Sequence, residues 1–89
     1  MKKLVLMKYL NNKGYPCYSR ITEDEAPGSE EARIDLMELE AEEMLFAGDM
    51  KEKLWIKSLN EKEYKQLMKD ESDSRIKTLE RLDDVWSSV

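Results

Sequence analysis

The chain contains no histidine and one cysteine. The first absence rules out a Cys–His catalytic pair and the His-plus-Glu ligand sets of di-metal helical bundles. The second rules out an internal disulfide. Cys17, next to Pro16, reads as a small apolar residue in a protein kept in a reducing cytoplasm. Three glycines are too few and too scattered for a phosphate-binding P-loop or a dinucleotide turn. An Asp/Asn-rich calcium loop with a central glycine is also missing. No apolar run reaches membrane length. Leu4 to Met7 follows Lys2 and Lys3 but is cut by Lys8, too soon for a secretory signal. The expectation is therefore a non-enzymatic protein without cofactor, metal or catalytic residues, and without a membrane partner.

What is present is charge, and it is uneven. Charged residues make up 39% of the 89 positions and hydrophobic ones 40%, a balance that suits a folded soluble chain rather than a disordered one. Residues 1–21 carry five cations (Lys2, Lys3, Lys8, Lys13, Arg20) and no acid. Residues 22–50 carry eleven acids against Arg33, and residues 51–89 carry nine of each sign. A basic N-terminal segment is expected near an acidic middle, or the acidic surface faces a basic partner. The length, starting at Met1, predicts one small domain with a limited core, which oligomerisation could supplement. The six methionines read as adaptable core filler, with a pliable binding surface as the alternative.

The organising stretch is Ser29 to Ala47. Pro27 and Gly28 break the chain before it, Ser29 is a good N-cap, and Glu30 and Glu31 sit where the helix dipole favours negative charge. Gly48 stands in the place of a C′ glycine. Turning about 100° per residue, Ile34, Met37, Ala41, Met44 and Leu45 share one face. Ala32, Leu36, Leu39, Phe46 and Ala47 fall on roughly the opposite side. Between them runs an acidic row, Glu31, Asp35, Glu38 and Glu42. Two apolar faces on one helix predict either a helix sandwiched within its own fold or one that docks on another protein or a second copy. The protein-binding candidates are accordingly Glu31, Asp35, Glu38 and Glu42 with Leu36, Leu39 and Phe46, and a homodimer is expected.

Around this helix the pattern predicts an α+β domain. Lys2–Leu10 and Tyr15–Ile21, joined by the turn-prone Asn11-Asn12-Lys13-Gly14, form a candidate β-hairpin. A short N-terminal helix is the alternative there. Pro16 cannot donate to a ladder, so the second strand should be an edge or start late. Along the first strand Leu4, Leu6, Lys8 and Leu10 share one face and Val5, Met7 and Tyr9 the other, both partly buried. Lys51–Leu59 reads as a third strand, covered on both faces near 53–58. Asn60 and Glu63 then make a capping box, with Leu59 stapled onto Tyr64. Beyond Lys69, Asp70–Ser74 weakens the pattern. Ile76, Leu79, Leu82 or Asp83, and Trp86 recur at helical spacing, so 61–86 holds one or two C-terminal helices.

Two functional readings follow. A small acidic protein without motifs resembles, in style, phage- or plasmid-borne inhibitors and antitoxins. That implies a regulator that binds another protein, including one with a basic groove that normally holds nucleic acid. The alternative rests on 51–89, which has the strand–helix–helix outline of a ribbon–helix–helix half-dimer and would make a dimeric DNA-binding repressor. Zero net charge over that segment argues against it, because duplex affinity comes from clustered Lys and Arg. Tyr9, Tyr15 and Tyr18 on the lysine-rich hairpin are the other candidate nucleic-acid surface. Direct nucleic-acid binding is the lesser expectation.

Overall fold

A computed structural model describes residues 3–70. The order is strand β1 (Lys3–Asn11), strand β2 (Pro16–Thr22), helix α1 (Glu30–Ala47), strand β3 (Met50–Asn60) and helix α2 (Glu61–Asp70). The fold is α+β, as the residue pattern implies. The expected last helix, to about Trp86, lies outside the described residues.

The sheet is antiparallel with the order β2-β1-β3. The hairpin closes through Asn11, whose side-chain oxygen accepts from the amides of Lys13 and Tyr15, both at 2.9 Å. Pro16 lies on the edge strand, where its missing N–H costs no ladder bond. β2 and β3 both run opposite to β1 and so run parallel to each other. A connection between two such strands must cross the sheet, and α1 makes that crossing.

Pleating sorts the β1 side chains. Val5 and Met7 bury against Met37 and Ala41 of α1 and Met50 of β3. Leu4 and Leu6 bury against Leu59 and against Tyr64 of α2. The sheet therefore carries a helix on each side, and β1 is covered on both. The long β3 slips register twice against β1. Leu54 has no partner between the pairs Lys8–Trp55 and Tyr9–Lys53, and Lys51 has none between Leu10–Glu52 and Asn11–Met50. Each extra residue reverses the alternation, so the second bulge restores what the first changed. Trp55 thus faces the α2 side, while Ile56 and Met50 face α1. Leu54, at the bulge, stays exposed, so the cover expected over the middle of β3 is incomplete.

The helix ends obey local chemistry. Ser29 Oγ accepts from the amide of Ala32 at 3.0 Å. At the other end Gly48 is left-handed at φ 80°. The amide of Gly48 donates to the Leu45 carbonyl at 3.2 Å and that of Asp49 to the Met44 carbonyl at 2.9 Å, a Schellman closure. Asn60 and Glu63 exchange the two capping-box hydrogen bonds at 2.8 and 3.0 Å.

Candidate protein-binding face

α1 buries a narrow arc. Arg33, Met37 and Ala41 are buried, four residues apart, and Ile34 and Met44 are half-buried beside them. Leu45 falls outside this arc and is exposed, although the helical turn places it near the same side. The opposite surface meets nothing among the described residues. Leu36 is 46% exposed, Leu39 54% and Phe46 96%. Ala32 and Ala47 are exposed as well. Of the two sides of this helix, one is packed within the fold among the described residues.

The acidic row borders this apolar surface. Glu31, Asp35, Glu38 and Glu42 are all exposed. None of the four makes an ion pair or side-chain hydrogen bond among the described residues. The basic N-terminal segment does neutralise nearby acids, but different ones. Lys3 Nζ lies 3.4 Å from Glu30, and Arg20 pairs with Glu25 at 2.7 Å. The Ser58 hydroxyl and the Lys3 ammonium hold the Glu30 carboxyl below its usual range. Glu40, on the border of the buried arc, accepts from Ser19 Oγ at 3.2 Å. The charge left uncompensated is the outward row, with Glu43 also exposed.

Arg33 is the functional-looking side chain that turns inward. It is 4% exposed, and its guanidinium donates to the carbonyls of Gly28 at 2.9 Å and Ala26 at 3.3 Å, with Glu23 at 3.7 Å. It ties the 23–29 loop to the first turn of α1. The one cation of the acidic segment is thereby withdrawn from the surface. Helical spacing with Met37 and Ala41 was the signal for its burial, but a guanidinium is ordinarily placed in water.

The other candidate surfaces are not assembled. Tyr9 packs on the α1 side and Tyr18 on the α2 side, while Tyr15 is exposed beside the turn. Three tyrosines so placed make no common stacking platform. Burial, then the neighbouring Cys17 and Glu40, push the Tyr9 phenol above its ordinary range. Tyr18 instead meets Trp55 at 6.3 Å in a tilted pair, with Lys57 4.7 Å above the Trp55 ring. Lys53 lies opposite Tyr9 and Lys57 opposite Leu6, on alternate sides of the sheet. The strand of the ribbon–helix–helix outline is paired along its length with β1. Among the described residues no three His, Cys, Asp or Glu side chains converge as a metal site. No helix among them is long and apolar enough to cross a membrane.

No protein-family model matches the chain, and no characterised protein or solved structure is detectably similar to it.

Proposed function

We propose that this is a small non-enzymatic regulatory protein of the cytoplasm that acts by binding another protein through the outward face of α1. The observation that carries this is the pairing of exposed Leu36, Leu39 and Phe46 with an acidic row on the same helix that makes no ion pair among the described residues. Exposed apolar side chains in a cluster rimmed by charge mark interaction surfaces, whereas scattered ones do not. The apolar residues supply affinity on desolvation. The carboxylates steer a basic protein surface to them and penalise an acidic one.

A second copy is a poor occupant of this face. α1 holds seven carboxylates and one cation, the buried Arg33. Two such helices side by side would set like charge against like charge. The homodimer expected from the two-sided helix would have to use another surface, such as the outer edge of β3.

The test is a charge reversal with a salt series. Glu38→Lys with Glu42→Lys should abolish capture of the partner at low salt and leave the circular dichroism spectrum intact. At high salt the difference between wild type and variant should narrow, because exposed charges are screened beyond about 8 Å at physiological ionic strength. Undiminished capture by the double variant at low salt would overturn the assignment.

A further inference from the structure

We infer that the element received by the outward face of α1 is a single amphipathic α-helix with a lysine- or arginine-rich flank. This rests on the proposal that the face binds a protein, and it specifies the shape and chemistry of what binds.

The first ground is spacing. Ala32, Leu36, Leu39, Glu43 and Phe46 follow one another at intervals of four, three, four and three, the rhythm of a helix–helix seam. All five are exposed. The row runs nearly parallel to the helix axis for about 21 Å, or roughly four turns. A helix laid along it would meet about one exposed side chain per turn.

The second ground is size. A ridge one side chain wide and about 21 Å long is well short of the ~800 Å² per partner of a standard interface between two folded proteins. One helix lying lengthwise can cover it. A flat protein surface would leave the sides of α1 open.

The third ground is charge. The acidic row Glu31, Asp35, Glu38 and Glu42 flanks the ridge on one side, and Glu43 interrupts it between Leu39 and Phe46. A helix seated there brings its own flanking positions over that row, as e and g positions do in a coiled coil. Lys or Arg at those positions satisfies the row, and another cation opposite Glu43 prevents a buried unpaired carboxylate. These requirements disfavour a second α1 in this place, because it would bring its own acidic row and its own Glu43 against this one.

A designed probe tests this with the full-length protein. The probe is a fluorescein-labelled peptide of three heptads, about 21 residues, with Leu at a and d and Lys at e and g. The control peptide has the same composition in scrambled order, so its leucines share no face. Fluorescence anisotropy should show the patterned peptide binding at least tenfold more tightly than the scrambled one. Leu36→Ser with Leu39→Ser keeps every charge and should remove at least that tenfold advantage. Equal affinity for both peptides, or an unchanged advantage in the double-serine variant, would overturn the helix assignment. So would sedimentation showing a wild-type dimer that the double-serine change converts to a monomer, because a second copy would then be the occupant. Failure of the peptide alongside loss of partner capture by Glu38→Lys with Glu42→Lys removes the helix but keeps a protein-binding face. Capture unaffected by that charge reversal removes both.

Discussion

Arg33 keeps its guanidinium occupied with the carbonyls of Ala26 and Gly28 while its stem packs in the buried arc of α1. Truncation removes both the charged donor and the packing of the stem. Arg33→Ala should therefore destabilise by about 2 kcal/mol, in the range for a lost hydrogen bond to a charged group. A urea midpoint unchanged from wild type would mean that the 23–29 loop is held by something else. Asn60 makes a second residue-scale case. Asn60→Ala leaves the Glu63 amide without its acceptor and should cost roughly 1 kcal/mol, read from the same midpoint. Glu30 adds a pH dependence. Ser58 and Lys3 lower its folded-state pKa, so its ionised form stabilises the fold above the unfolded pKa, and that contribution disappears as pH falls through the folded pKa. Wild type should be more stable than Glu30→Gln at neutral pH, and the two melting curves should converge only as pH falls below the ordinary glutamate range. A gap that persisted under acid conditions would remove the ion-pair account. These three residues were not equally legible. Asn60 and Ser29 act on amides three positions away, which a linear sequence shows. The burial of Arg33 depends on two carbonyls that become acceptors only once the loop folds back.

At the scale of the element, α1 is a helix with one buried face and one exposed face. Its two sides should respond oppositely to truncation. Met37 is fully buried, so Met37→Ala should cost about 2–5 kcal/mol. Phe46→Ser touches a side chain that is 96% exposed and should shift stability by no more than about 0.5 kcal/mol. Thermal melts of the two variants check this, and a large loss from Phe46→Ser would mean that the outer face is covered within the molecule. The helix boundaries were readable because Ser29, Gly48 and the break at Pro27-Gly28 work locally. The two-sided apolar pattern was readable too, but its meaning was not. Periodicity shows that a face is apolar, and only the position of the sheet shows which face is taken. Leu45 was assigned to the inner side on helical turn alone. It lies about 80° from Met37, at the rim of an arc too narrow to cover it.

The whole molecule pairs Lys3 and Arg20 of the basic hairpin with acids and lays across one sheet face a helix whose outward acidic row has no ion pair among the described residues. The sequence pointed to the hairpin and to a third strand near 53–58. Pairing of β3 with β1 joins residues some fifty positions apart and leaves no local signature, so the order β2-β1-β3 could not be read from the chain. The bulges at Leu54 and Lys51 were equally hidden, and they decide which side of the sheet Lys53 and Glu52 face relative to Trp55 and Ile56. The candidate binding residues were legible as an acidic row beside a second apolar row, because both follow from helical spacing alone. The measurement that tests their assignment most directly compares capture from a source-cell extract by three tagged proteins. These are wild type, Glu38→Lys with Glu42→Lys, and a control of equal charge change on other elements, Glu52→Lys with Glu61→Lys. Both control positions are exposed, on β3 and α2. A specific partner retained by wild type and by the control but lost by the α1 variant is the predicted result. Equal retention by the α1 variant, or equal loss by both variants, would contradict the assignment of the outward face of α1 as the binding surface.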